Sequence, residues 1–265
     1  MIFTGIEGVP DFECHEWREK SSDSCLLIPV INEGLRIRNE LERAFSHGIH
    51  ELCDIVILDG GSTDGSVGRE ILELLGVNSL LVKKGPGKQG AQLRMGLWWA
   101  FERQYRNILT VDGNDKDSIE SVPFFIEKLD AGYDLVQGSR FLKGGKAVNT
   151  PLSRLLAVKL IHAPVISLTA GQRFTDTTNA FRGYSSKYLC DPRTKPLRDI
   201  FTGYELLAYL SVRATQLGYR AYEVPVARVY PEKGKVPTKI SPIKGNADLM
   251  KILIKNAFGA YKPKE

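Results

Sequence analysis

Cysteine, histidine and methionine are scarce in this 265-residue chain, at four, four and three residues. Cys14, Cys25, Cys53 and Cys190 form no C-x-x-C pair and stand near no histidine cluster, a spacing that excludes a zinc ribbon or a disulfide framework. Free thiols in a reducing compartment are expected instead. The opening MIFTGIEGVPDFECHEWREK lacks the apolar centre of a signal peptide, so a cytoplasmic location is expected. Long hydrophobic runs are missing as well. The most apolar stretch, RLLAVKLIHAPVISLTAG at 154–171, is interrupted by Lys159, His162 and Pro164. It falls short of the roughly 20 residues of a membrane span and reads as a buried or interfacial helix.

Charge of one sign is also nearly absent from the body of the chain. The net charge is +5, yet residues 1–231 carry 28 basic and 28 acidic side chains. From Glu232 to Glu265 eight lysines face three acids, which accounts for the whole excess. A duplex-binding protein needs its basic patch on the folded body, so no nucleic-acid partner is expected. The last segment, NADLMKILIKNAFGAYKPKE, sets Lys251 and Lys255 one turn apart, with Leu249, Met250, Leu253, Ile254 and Ala257 on the other side. Such a helix either lies on an anionic membrane or packs on the domain.

What is present is an alternation of short apolar runs and helical patterns. CLLIPV (25–30), DIVILD (54–59), SLLVKK (79–84), NILTVD (107–112) and DLVQGSRF (134–141) read as strands, with segments of 3.6-residue period between them. This order predicts an α/β fold with a mostly parallel sheet covered on both faces. Helix 203–218 and strand 219–230 follow. The expected organisation is an extension at 1–20, one domain at 21–240 and the basic tail at 241–265. The domain divides near residue 115 into two functional halves, about 21–115 and 116–230.

Ligands bind beyond the carboxyl ends of parallel strands. Asn32, Glu33, Asp59, Lys88, Asp112, Asn114, Asp115 and Arg140 gather there. In VDGNDKD, Asp112 ends a strand and the following turn brings Asn114 and Asp115 close, an oxygen-only set suited to Mg²⁺ or Mn²⁺ shared with phosphates. A solvated Asp/Asn turn is the plain alternative. GPGKQG (85–90) formally matches G-x-G-x-x-G, but it sits in the third strand-helix unit and reads as a cationic turn through Lys88.

The succession CLLIPVINEG, DIVILDGGSTDGS, GKQGAQLRMGL, ILTVDGND, DLVQGSRF, FTDTTNAFRGY and YEVPVARVYP resembles family 2 glycosyltransferases of the GT-A fold, in the branch of the polyprenyl-phosphate sugar synthases. The resemblance covers about residues 24–240. It implies that Pro29, Asn32 and Glu33 line a nucleotide pocket, with Ile31 replacing an aromatic. It further implies that Asp59 reads the base, with Gly60 where a second Asp often stands. DGN at 112–114 takes the place of a D-x-D metal motif with the neutral Asn114 in its third position, so metal binding loses one charge but keeps one ligand, with Asp115 able to compensate; activity dependent on Mg²⁺ or Mn²⁺ is expected, and a weakened or atypical metal affinity stays open. GSR and DTTNAFR place Arg140, Asp176, Asn179 and Arg182 on the acceptor side, with Ala180 replacing a Gly. Arg228 and Lys239 are assigned to phosphates.

The resemblance implies an inverting enzyme that moves sugar from a UDP- or GDP-linked donor to a polyprenyl phosphate, a lipid-linked intermediate or a polysaccharide at the inner face of a membrane. A hydroxyl acceptor would need a general base, for which Glu205 and Asp176 are the candidates, whereas a lipid phosphate is already anionic. A catalytically silent nucleotide-sugar binder and a nucleotidyltransferase stay open as alternatives.

Overall fold

The structure, a computed structural model, describes residues 1–232 and 244–263. Eleven strands are described: β1 (Ile2–Phe3), β2 (Phe12–Glu16), β3 (Ser24–Val30), β4 (Asp54–Asp59), β5 (Val77–Lys83), β6 (Asn107–Thr110), β7 (Leu135–Ser139), β8 (Lys146–Val148), β9 (Arg182–Ser185), β10 (Ala221–Pro225) and β11 (Ala227–Val229). The helices are α1 (Leu35–Ser46), α2 (Ile49–Leu52), α3 (Arg69–Leu74), α4 (Gln89–Glu102), α5 (Val122–Asp130), α6 (Leu152–Ala157), α7 (Ala163–Ala170), α8 (Ser186–Leu189), α9 (Glu205–Gln216) and α10 (Lys244–Ala257).

Nine strands form one sheet in the order β1-β2-β5-β4-β3-β6-β9-β7-β10. Its centre, β5-β4-β3-β6, is parallel, because each strand returns through a helix. β3 and β4 are buried almost without interruption, as continuous Leu, Ile and Val runs with helices on both faces require. One face packs on α4, α7 and α9, and the other on α1, α3 and α5. The chain runs from β3 outward to β5, then returns to β6 on the other side of β3. That reversal opens a crevice at the carboxyl ends of β3 and β6.

Two expectations are corrected here, and one strand is added. The first 20 residues are no appendage to the sheet: β2 pairs antiparallel with β5, and β1 with β2. The stretch 219–230 is two strands, since the chain leaves the main sheet at Val226 and β11 pairs with β8 in a separate two-stranded ribbon. β9 is inserted antiparallel between β6 and β7, a strand whose four residues, RGYS, carry no apolar run to announce it.

Residues 152–170 form one continuous helix through α6, a π-turn at Val158–His162 and α7. By length and composition it is the one helix among the described residues that is apolar enough to cross a membrane. It lies on the outside of the domain. Leu152, Leu156, Leu160, Ile161 and Leu168 are exposed, Leu168 at 87%. Its inner side, Val158, Ala163, Ile166 and Ala170, is buried on the domain, so the helix is buried along one side only. In α10, Leu253 and Asn256 face inward, and Asn256 donates to the Ala208 carbonyl of α9 at 2.8 Å. Lys251 and Lys255 face solvent, and so do Ile254 and Phe258.

Candidate active site

The crevice begins where β3 and β4 end. Gln92 of α4 donates to the Val30 and Leu58 carbonyls at 2.8 and 2.7 Å, tying the two strand ends together under Gly60. Asp59, buried, accepts from the Ser62 amide at 2.9 Å and its hydroxyl at 2.6 Å, which folds the GGST turn over the strand. Asn32 sits at φ 48° and accepts from the Thr63 amide at 2.8 Å, so the β3 and β4 loops are locked to one another. Pro29 lies half-buried at the end of β3, and its carbonyl meets the Gly113 amide at 3.4 Å. Glu33 pairs with Arg36 at 2.7 Å. Lys88 is exposed at the head of α4, its amide held by the Thr202 carbonyl at 2.8 Å. These residues converge on one rim.

Across the crevice, Gly113 is packed so tightly that a Cβ there would stand 2.8 Å from Val30 and 2.9 Å from Ile28. The turn it allows presents Asp112 to the opening. Asp112 accepts from Gln89 Nε2 at 2.7 Å through Oδ1 and faces Arg228 Nη2 at 3.3 Å through Oδ2. Arg228 is buried and also pairs with Asp117. Burial alone would disfavour the Arg228 charge, but Asp117 and Asp112 hold the guanidinium firmly protonated.

Tyr230 sits behind this pair with three cations around its ring: Lys116 Nζ at 5.4 Å, Arg154 Cζ at 5.7 Å and Arg228 Cζ at 5.8 Å. Arg154 also donates to the Tyr230 hydroxyl at 2.8 Å. Burial would raise the phenol's pKa, and Arg228 and Arg154 together reverse that and lower it. Gln89, Lys116, Arg154 and Tyr230 were not among the sequence candidates. Lys116 is the one cation in an acidic turn, Tyr230 follows Arg228 by the two-residue period of a strand, and Arg154 is an isolated charge at the start of an apolar helix. Those signals gain meaning only once the turn and both strands meet.

Several proposed roles are corrected. Asp115, at φ 57°, pairs with Arg43 at 2.9 Å while its amide donates to the buried Glu40, so its carboxylate is engaged by Arg43 and not directed at a shared site with Asp112. Asp176 is fully buried and makes a two-pronged pair with Arg140 at 2.6 and 2.9 Å. A carboxylate clamped in that way is not free to take a proton from an acceptor, and Arg140 is not free for a phosphate. Arg182 is likewise spent on the Asn179, Leu207 and Thr177 carbonyls and on the Ser211 hydroxyl. Asn179 is buried and accepts from the Phe181 amide at 3.0 Å. These residues shape the acceptor half without lining it. Glu205 accepts from the Gly203 amide at 2.6 Å at the start of α9, and its backbone neighbours cover the Lys88–Gly90 turn. Lys239 lies outside the described residues.

The oxygens around Asp112 do not by themselves make a divalent-cation site. Asp112 supplies one carboxylate already engaged by Gln89 and Arg228, and Asn114 supplies a neutral amide oxygen, buried and without a hydrogen-bond partner. No group of three His, Cys, Asp or Glu side chains suited to a metal occurs among the described residues. A hard cation wants about six oxygens, so most of its shell would have to arrive with a diphosphate and water.

The sequence model described as glycosyl transferase family 2 matches residues 25–191. An undecaprenyl-phosphate mannosyltransferase of Micrococcus luteus is 30% identical over 69% of this chain and 74% of its own length. A polyprenol monophosphomannose synthase of Mycolicibacterium smegmatis is 27% identical over 79% of this chain and 78% of its own. Among solved structures, glucosyl-3-phosphoglycerate synthase from Mycobacterium tuberculosis, in complex with Mn²⁺, UDP and phosphoglyceric acid, superposes with a TM-score of 0.61 at 15% identity, over 91% of this chain and 80% of that one. The fold is thus the GT-A fold that the motifs imply. With the family match spanning more than half of its length, the chain belongs to glycosyl transferase family 2 and is a glycosyltransferase.

Proposed function

We propose that this glycosyltransferase moves a sugar, with inversion, from a UDP- or GDP-linked donor to a polyprenyl phosphate at the cytoplasmic face of a membrane. The observation that carries the acceptor is Arg154. Its helix exposes Leu152, Leu156, Leu160 and Leu168 outward, while its guanidinium reaches back to the Tyr230 hydroxyl beside Arg228. A single lipid that is apolar along its chain and anionic at its head matches both features. The relatives named for undecaprenyl-phosphate and polyprenol substrates support the same acceptor class.

On the donor side, Asp59 and Asn32 line the base and ribose end, and the diphosphate lies towards Asp112 and Arg228. A departing nucleoside diphosphate accumulates negative charge, which fixed cations at that point stabilise. Arg228 is the best placed, because Asp112 and Asp117 fix its guanidinium from two directions. Lys88 at the rim adds a mobile charge. The phosphate oxygen of the acceptor, already anionic, attacks from the opposite side of the anomeric carbon without a general base, which agrees with the engagement of both Asp176 and Glu205. The Mn²⁺ complex of the fold neighbour supports a divalent cation, Mg²⁺ or Mn²⁺, accompanying the diphosphate beside Asp112 and Asn114, where it would add neutralising charge.

Asp112→Ala tests the site. Transfer is expected to fall by at least about 100-fold, with the melting temperature little changed, because Asp112 is half-exposed and Arg228 keeps Asp117. Wild-type transfer rates in folded Asp112→Ala would remove Asp112 from the site.

A further inference from the structure

We infer that Arg43 and Glu40 are positioning residues for donor binding: from α1 they hold the Asp112–Asp117 turn and so set where Asp112 and Asn114 meet the terminal phosphate of the nucleoside diphosphate. The inference rests on the nucleotide-sugar reading above and extends it to two side chains outside the crevice.

Three observations carry it. The first is the match between helix and turn. Ile37, Glu40 and Arg43 are spaced three residues apart on α1, so they follow one another along the helix. They meet the turn in the same order. A Cβ at Gly113 would stand 3.1 Å from Ile37 Cδ1, Glu40 Oε2 accepts from the Asp115 amide at 2.8 Å, and Arg43 Nη2 donates to the Asp117 carbonyl at 2.8 Å. Every second residue of the turn is thus seated on α1.

The second is how much these two side chains commit to the turn. The Arg43 guanidinium joins the Asp115 carboxylate at 2.9 Å, the Asp117 carbonyl and the Glu120 carboxylate at 2.9 Å, and its planar fork allows little freedom among three such partners. Asp115 stands at φ 57°, a left-handed conformation that a residue other than glycine keeps only where its surroundings impose it. Glu40 has no exposed surface, and its Oε1 has no hydrogen-bond partner. A carboxyl group is costly to bury, and here its other oxygen is given to the turn.

The third is where α1 begins. The amide of Gly34, its N-cap, donates to Asp64 Oδ2 at 2.9 Å, beside the Asn32–Thr63 bond that locks the β3 and β4 loops. One helix therefore leaves the base end of the crevice and, about 12 Å further along its axis, holds the turn at the diphosphate end.

Comparing nucleotides that differ by one phosphate isolates this role from activity and from general stability. Isothermal titration with Mn²⁺ of UDP and UMP, and of GDP and GMP, into the full chain is expected to show one diphosphate binding about tenfold or more tighter than its monophosphate. Arg43→Met should cut that ratio about fivefold or more, while the monophosphate stays within about threefold of wild type. Glu40→Leu removes the oxygen that the Asp115 amide bonds and should cut the ratio in the same direction. It also decides the matter if Arg43→Met does not fold. Glu40→Gln keeps an oxygen for that amide and should keep the wild-type ratio. A wild-type ratio in folded Arg43→Met or Glu40→Leu, equal losses of monophosphate and diphosphate, or a wild type that binds the two forms alike overturns the inference and leaves the donor reading intact. A wild type that binds none of the four nucleotides overturns the donor reading, and the inference with it.

Discussion

At the scale of single residues, Asp176 and Asp112 are both carboxylates placed by motif, and their surroundings assign them opposite duties. Asp176 has no exposed surface and shares two bonds with Arg140. Removing one partner of a buried pair strands the other charge, so Asp176→Asn should destabilise the fold by about 3–5 kcal/mol in chemical denaturation. If Asp176 were a general base, the same change would cut turnover and spare stability. Asp112 sits half-exposed at a strand end with Gln89 and Arg228 around it, the arrangement of a group held ready for a ligand. The sequence could not separate the two. Both are acids in recognisable motifs, and whether an acid faces an arginine or a crevice depends on how distant loops cross. Asp115 makes the same point within one turn: its left-handed φ sends the carboxylate to Arg43, a partner 72 residues away.

At the scale of elements, the central strands were legible because burial on both faces demands uninterrupted apolar runs, and CLLIPV and DIVILD are such runs. β9 was not legible, since its place between β6 and β7 is set by tertiary pairing and its sequence is half polar. The helix 152–170 stood between. Its apolar character was plain, but which side faced out was not, and that side is what bears on function. Leu156, Leu160 and Leu168 are spaced to lie along its outer side. Replacing all three with serine should lower partition onto vesicles containing anionic lipid by tenfold or more, on the order of 25 cal/mol for each Å² of apolar surface no longer buried. Sedimentation with vesicles measures this. Unchanged partition would assign the exposed leucines to a role other than lipid contact, and the acceptor proposal would lose its main structural support.

At the scale of the whole molecule, the uneven charge takes on a location. The neutral body carries the crevice, and the basic segment ends in α10, which packs against α7 and α9 through Leu253 and Asn256. The two expectations for this tail are therefore not exclusive. One side is seated on the domain, and the other presents Lys251, Lys255, Ile254 and the 88%-exposed Phe258 beside the helix with the leucine stripe. Cations flanking an apolar surface suit an anionic bilayer. Such a surface would set Arg154 at the boundary between lipid and crevice, with Tyr230 and Arg228 behind it and Asp112 opposite the donor. The measurement that tests this arrangement most directly is transfer of labelled sugar from a panel of UDP- and GDP-sugars to polyprenyl phosphate in anionic vesicles. Labelled lipid should form with at least one donor, and it should vanish with Asp112→Ala. Failure with every donor, or equal product from folded Asp112→Ala, would contradict the account.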